Sequence, residues 1–558
     1  MGQAEQSSVE GVHLRDAHEA LRRGAWSEGR DLFSTALEAD ESPEAYDGLA
    51  TCCRFLGALD ESLAARERAY RLYHERGDIA AAVMAAAWLG RDSGLPRAEA
   101  SIARAWFAVA RRLAPKTDSA LALGTLDYYE GQFVLLGEID APRAGDLGAR
   151  ARAAGRECGN VDLEMQGLSL QGVAAVAEGR VEEGMALVEE AAAAVFGGEL
   201  SGVDAAGWVC CHVIYACERV SDTRRAAEWC VAMRGFCERW DMPGMFGMCR
   251  AHHGSVLMHE GRWAQAEEEL NEAAALFLSA APALAFEAVV RLCELRLRQG
   301  RLDEIEPLAG MLADSHVPWL TLPSQAGVAL AQGDPESARA MLDRYLRMLP
   351  DRERTGRAAA YELAVQAHVA FGDIDAATVA AQALSDIAAV AGTDRLRGAA
   401  ELARGRVLAA TGKHPEARTS LETAIDLLSR AAAPYDIACA RISLAETLSQ
   451  LGHPQLAVSQ LSTARDALHG LGARLMADAA HQRLGELTPA NPRDRWNLSE
   501  RELDVLRLAA EGCSNTEIAE RLGLSHHTVH RHMANVRTKL GGDSKAAVVA
   551  RATREGLI

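Results

Sequence analysis

A short unit recurs along most of this chain. It is a helix-forming stretch, a glycine followed by a polar or charged residue, then a second helix that opens x-x-Ala. It reads GAWSEGRDLFSTAL from Gly24, GRVEEGMALVEEA from Gly179, GRWAQAEEELNEA from Gly261, GRLDEIEPLAG from Gly300 and GDPESARAMLD from Gly333. It returns as GDIDAATVAAQAL from Gly372, GKHPEARTSLETA from Gly412 and GHPQLAVSQLSTA from Gly452, with a divergent copy, VSDTRRAAEWC, at Val220. From residue 179 onward the copies start 41, 41, 39, 33, 39, 40 and 40 residues apart. Such a period belongs to a supersecondary unit that cannot bury its apolar face alone and must stack on its neighbours. The glycine ends the first helix in a left-handed cap, and the alanines let helices approach closely. Strand-like alternation is scarce, so residues 13–487 are expected to be helical throughout.

These units resemble tetratricopeptide repeats, slightly longer than the usual form. The resemblance implies an all-α fold in which helical hairpins stack into a superhelix with a concave binding surface. A surface of that kind suits an effector or a protein partner. It is equally expected in a scaffold with no small-molecule site.

The C-terminal segment changes pattern. Leu498–Ile558 reads LSERELDVLRLAAEGCSNTEIAERLGLSHHTVHRHMANVRTKLGGDSKAAVVARATREGLI. Ser499 with Glu502 and Ser514 with Glu517 form two capping boxes, and Ser525 opens a further helix after the Gly523-Leu524 turn. Helices are predicted over 500–510, 515–521, 526–540 and 544–554. Leu503, Leu506, Ile518, Ala519, Val529, Met533, Val536 and Leu540 mark their apolar faces at three- and four-residue spacing. A helix, a tight turn and a second helix can place one helix in the DNA major groove. Residues 488–497, TPANPRDRWN, hold two prolines and read as a linker in which Trp496 packs against one side.

The runs LSERELDVL, EGCSNTEIAERLGLS and TVHRHMANVRTKLG resemble the LuxR/GerE-type DNA-binding domain almost without gaps. The resemblance implies a transcriptional regulator with double-stranded DNA as its partner, read by helix three. Carried over residue by residue, the DNA-binding residues begin with Ser514 and Asn515, which open helix two, and Thr528 and Val529 at the first turn of helix three. His530, Arg531 and Ala534 would face base edges, with Asn535, Arg537 and Lys539 near phosphates. Arg531 is the expected direct reader, since a guanidinium can pair bidentately with guanine. Where the family usually carries lysine or arginine after TV, this chain has His530, with His526 and His527 nearby. That lowers the charge reaching DNA at neutral pH and would make it sensitive near pH 6 to 7, although histidines so placed are more often neutral hydrogen-bonding groups, which is the stronger expectation. The fourth helix would mediate homodimerisation on DNA. The rival expectation is a scaffold whose helix-turn-helix serves protein contact.

Charge fits only in its distribution. The chain has 78 Asp+Glu against 59 Lys+Arg, a net −19. From Asp494 onward the signs nearly balance, and Arg521–Lys545 holds five basic residues and one acid. A strongly acidic chain is no general polyanion binder, so any DNA surface is small, local and salt-dependent. Lysine occurs only as Lys116, Lys413, Lys539 and Lys545, none in a phosphate-binding G-x-x-x-x-G-K-[ST] loop. No nucleophile elbow or H-E-x-x-H occurs, so no enzyme, cofactor or catalytic residue is expected. The polar, acidic N-terminus and the lack of long uncharged apolar runs argue against a secretory signal or membrane span. A reducing cytoplasm is the expected compartment, with all twelve cysteines as thiols.

Six cysteines gather at Cys210, Cys211, Cys217, Cys230, Cys237 and Cys249, joined by His212, His252 and His253. Helix spacing groups them into rows that suit a soft metal or redox switch. No C-x-x-C pair or zinc spacing occurs, however, and buried cysteine is a good small packing residue. Packing, without a metal site, is the expectation. Trp208, Tyr215, Trp229, Phe236, Trp240 and Phe246 are expected to thicken the core there.

Overall fold

The chain reverses wherever a residue accepts left-handed backbone. In the computed structural model, which describes residues 14–97, 99–240, 243–280, 282–312, 318–487 and 496–558, every regular element described is a helix. Gly179, Gly261, Gly300, Gly333, Gly372, Gly412 and Gly452 all have φ between 76° and 92°. At Gly179 the backbone closes the preceding helix twice, Gly179 N–H donating to Val176 O at 3.0 Å and Arg180 N–H to Ala175 O at 2.8 Å. This double closure satisfies the last carbonyls and turns the chain into the next helix. Val161–Glu178 with Val181–Phe196 is one such hairpin, and Asp394–Ala410 with His414–Arg430 is another. The divergent copy turns one residue later than expected, at Ser221 with φ 53°. Asp222 then caps the following helix, its Oδ1 accepting from Arg225 N–H at 3.1 Å.

Three hairpins escaped the repeat pattern. Pro43–Phe55 pairs with Leu59–Arg76, Ile79–Gly94 with Ala100–Leu113, and Ala120–Phe133 with Ala141–Cys158. The last reverses through a π-helical turn and Ile139 at φ 55°, so no glycine marks it. The short spacing between Gly300 and Gly333 also has a cause. The second helix of that unit shrinks to Ile305–Gly310, only six residues.

The hairpins wind into a superhelix whose successive turns touch. Arg354 N–H donates to Ala177 O at 2.9 Å, and Thr393 Oγ1 donates to Val220 O at 2.6 Å. Arg219 pairs with Glu353 across the same seam. Gly179, Gly261 and Gly300 lie in it. A Cβ on Gly261 would come within 2.6 Å of Leu471 and 2.8 Å of Pro434, and one on Gly300 within 2.9 Å of Leu475. One continuous buried apolar cluster therefore runs from Ala69 to Leu484.

Ile374–Ala391 is the one described helix long and apolar enough to cross a bilayer. It carries Asp375 and Asp386 and packs against Ala358–Phe371 and Asp394–Ala410 as an ordinary repeat helix. The expected linker lies mostly outside the described residues. Its last two residues, Trp496 and Asn497, belong structurally to the C-terminal unit, where Trp496 packs on that unit's core.

Two glycines separate conformational strain from crowding. Gly412 has φ 76° and open space around a Cβ, whereas Gly261 combines φ 83° with the crowded seam. Gly412→Ala should cost about 1–2 kcal/mol through backbone strain. Gly261→Ala should cost a further 1–3 kcal/mol or so, because Leu471 and Pro434 must also move. Thermal and urea unfolding of the two variants side by side measures the difference.

Candidate nucleic-acid interface

Serine caps set the four C-terminal helices, Glu500–Ala510, Asn515–Leu522, His526–Leu540 and Lys545–Arg554. Ser499 N–H donates to Glu502 Oε2 at 2.8 Å, while Glu502 N–H donates to Ser499 Oγ at 3.3 Å. Ser514 and Glu517 repeat this exchange at 2.7 and 3.4 Å. Ser525 Oγ accepts from Thr528 N–H at 3.1 Å, and Ser544 Oγ accepts from Ala547 N–H at 3.1 Å. Gly523, at φ 64°, makes the tight turn between helices two and three.

Two buried clusters hold the helices together. Leu503, Leu506, Val536, Leu540 and Val548 form one, and Val505, Ile518, Ala519, Val529 and Met533 the other. Helix three contributes to both along a single stripe, so its opposite side is forced outward. His527, His530, Arg531, Ala534 and Thr538 are exposed along that side, with Asn535 and Arg537 beside it. Thr528 is half-buried and shares its hydroxyl with Ser525 at 2.7 Å. Ser514 is exposed and Asn515 half-buried at the start of helix two.

Two of the expected contact residues are placed differently. Val529 is fully buried, so its side chain serves the core and only its backbone belongs to the outer turn. The Lys539 ammonium turns inward, donating to Glu502 Oε2 at 2.7 Å and to Asn497 O at 2.6 Å. It ties helix three to the first capping box instead of standing free. Other cations are also engaged. Arg521 pairs with Glu511 at 2.8 Å, Arg537 donates to Asp543 O at 2.9 Å, and Lys545 donates to Cys513 O. Arg551 lies over the Trp496 ring at 4.9 Å, a contact that the linker reading of Trp496 left unassigned. Between Arg521 and Lys545, Arg531 is the one basic side chain with no hydrogen bond or ion pair to the described residues.

The cysteine-rich stretch of the body packs as a core. Cys210, Cys211, Cys217, Cys230 and Cys249 are all buried, and burial pushes the Cys210 thiol up to about 12. Thiols so raised stay protonated and inert. His212 Nδ1 lies 2.9 Å from Ser169 Oγ, and burial pushes its pKa down to about 4. His252 Nδ1 lies 2.8 Å from Glu218 Oε2. Among the described residues no group of three His, Cys, Asp or Glu side chains is arranged to hold a metal. Trp208 is buried and Trp229 stacks on Phe196 at 5.6 Å. The side chains of Phe236, Cys237, Trp240 and Phe246 lie outside the described residues.

Burial pushes the Glu502 carboxyl up, but the Lys539 ammonium and the Ser499 donors outweigh it and hold it below the usual carboxylate value. A depressed folded pKa gives stability that is complete above the unfolded value of about 4.3 and is lost as pH falls through the folded one. Glu502→Gln should therefore cost the C-terminal domain about 1–3 kcal/mol at pH 7. The gap to the unaltered domain should close as the pH falls below about 4. Urea unfolding of residues 496–558 at pH 7 and pH 3, followed by Trp496 fluorescence, reads both effects.

Residues 496–552 match the family described as bacterial regulatory proteins, luxR family. An HTH-type transcriptional regulator of Mycobacterium tuberculosis is 40% identical over 88 residues, 15% of this chain and 10% of that protein. The oxygen regulatory protein NreC of Staphylococcus aureus is 44% identical over 70 residues, 12% of this chain and 32% of that protein. The chain thus spans a third or less of the length of these relatives. Among solved structures, the Cut9–Hcn1 hetero-tetramer of the APC/C aligns over 96% of this chain and 95% of its own, with 12% identity and a TM-score of 0.45, a likeness too loose to carry an argument. The shared segment coincides with the four capped helices, and the C-terminal domain of this protein is a helix-turn-helix domain of the luxR family, carried by a chain whose body is a tetratricopeptide-like helical superhelix.

Proposed function

We propose that the protein is a DNA-binding transcriptional regulator, in which residues 498–558 bind promoter DNA and residues 13–487 form a sensing or recruiting body. The observation that carries this reading is the outward face of helix three, where Arg531 stands exposed and unpaired while the neighbouring cations are held by their own domain. In this reading Arg531 contacts a base edge, with His530 and Ala534 beside it. Thr528, Asn535 and Arg537 border the phosphates together with Ser514 and Asn515. Val529 and Lys539 act indirectly, by fixing the helix. Arg537 must release its carbonyl contacts to reach a phosphate.

The fourth helix presents Ala546, Ala547 and Ala550 to solvent, a small-residue face on which two copies can approach closely. Dimerisation there would set two copies of helix three on half-sites related by a two-fold. Binding of an effector or partner to the body would act through residues 488–497, shifting the population in which helix three is available. The site of action is the cytoplasm, where promoter DNA and reduced thiols coexist.

In vitro selection from random duplex DNA tests the reading directly, using full-length protein, its Arg531→Ala variant and residues 496–558 alone. A two-fold site should be enriched, and Arg531→Ala should lose about 1–3 kcal/mol of affinity with relaxed preference at one base. Enrichment by the isolated domain but not by the full chain would mean that the body holds the domain shut. Enrichment by neither would replace this reading with a scaffold whose helix-turn-helix contacts protein.

A further inference from the structure

The last repeats enclose a groove of about 700 Å³. Its walls come mainly from four successive first-position helices, Ala358–Phe371, Asp394–Ala410, Pro434–Gln450 and Arg474–Leu487, with His414 and Leu461 added by the helices His414–Arg430 and Pro454–Leu471. Much of the lining is apolar, including Val369, Ala409, Ile442, Leu461 and Met476. The volume falls in the range of small-molecule sites, and an apolar wall with a few fixed polar groups is their usual composition.

Arg406 on this wall differs from most shielded arginines of the body, sharing only with a few such as Arg441, which donates to Gln460, the lack of a carboxylate partner. Most shielded arginines of the superhelix face carboxylates. Arg54 pairs with Asp204 at 3.0 Å, Arg291 with Glu218 at 2.6 Å, Arg298 with Glu294 at 2.7 Å and Arg395 with Asp436 at 3.2 Å. Arg406 has one contact, Nε donating to Ser443 Oγ at 3.3 Å, and no carboxylate of the described residues lies within 4.0 Å of it. Burial pushes its pKa down, whereas the paired arginines sit above their usual value. Its terminal nitrogens have no acceptor among the described residues and open on the groove, beside an apolar wall. The other wall cation, Arg483, is already taken by Glu446. His414 adds a buried Nδ1 with no hydrogen-bond partner among the described residues. Arg406 is half-buried, so its guanidinium is held by the wall yet reachable from the groove.

We infer that this groove binds a small amphipathic acid, whose carboxylate pairs with the Arg406 guanidinium and whose hydrocarbon body lies along Val369, Ala409, Ile442, Leu461 and Met476. A guanidinium presents a planar fork that matches a carboxylate. Glu446 and Glu486 also line the groove, the former paired with Arg483, so an anionic head is matched only at Arg406, and the apolar part of the wall matches an uncharged body. The net charge of −19 repels anions in general, so retention depends on this local pairing. The inference rests on the body being a sensing module and names the chemistry it senses.

The test uses the full-length protein and calorimetric titration with octanoate, decanoate and dodecanoate, each against its matched primary alcohol. At least one acid should bind about tenfold or more tightly than its alcohol, since a hydrogen-bonded charge is worth that much. Arg406→Met should erase the preference for the acid without lowering the melting temperature, because it removes an unpaired cation. Ala409→Trp, which leaves Arg406 in place and fills the groove, should abolish binding of acid and alcohol alike. The inference is overturned if no acid outbinds its alcohol, if Arg406→Met binds acid undiminished, or if a leucine-rich peptide ending in aspartate binds while the acids do not. A sharp loss of melting temperature in Arg406→Met would also overturn it, by making Arg406 a structural residue. No step involves DNA. Failure here with intact promoter selection sinks this inference alone, while acid binding without promoter selection sinks only the regulator reading.

Discussion

The body depends on one backbone event, the reversal of a helix at a residue with positive φ. That reversal sets two helices antiparallel and close, and its repetition makes a superhelix instead of a bundle. At Gly261 and Gly300 the same residue does a second job, because the next turn of the superhelix packs where a side chain would stand. Local turn geometry and long-range winding therefore share atoms. A change at such a glycine is felt both within its hairpin and across the seam that joins distant parts of the chain.

Charge is distributed by the same logic. The superhelix shields many arginines, and most of the deeply buried ones are matched by a carboxylate, which keeps the desolvation cost tolerable. The C-terminal domain likewise spends most of its cations on its own caps and carbonyls. Against this background two cations stand out, Arg531 on the outer face of helix three and Arg406 in the groove of the late repeats. Both sit on packed helices, and neither has a carboxylate partner among the described residues. Positive charge that the fold does not use is available to an external anion. In one place that anion is read as DNA, in the other as a small acid.

How much of this was legible beforehand varied with the signal. The C-terminal helices were legible nearly to the residue, because each begins at a serine cap and the apolar stripe continues from it. The repeat was legible at most glycine turns, though the hairpin that turns at Gly57 escaped it. It disappeared at Ile139, where a π-turn delivers the left-handed residue, and slipped by one at Ser221, where a serine does so. Lys539 read as a free cation because nothing local reveals that Glu502, a capping residue far away in sequence, accepts its hydrogen bond. Val529 carried two expectations that exclude each other, and burial chose the core.

The sequence by itself determined the helices, their caps, the approximate repeat and the family of the C-terminal domain, because these arise from contacts within a few residues or from motifs of fixed spacing. Only the tertiary structure decided which side chains remain available. The seam between superhelical turns, the pairing of Arg395 with Asp436 and the isolation of Arg406 all join residues from different hairpins. Their separation along the chain is set by how far the superhelix winds per repeat. That winding is a property of many packed interfaces acting together, which no local pattern records.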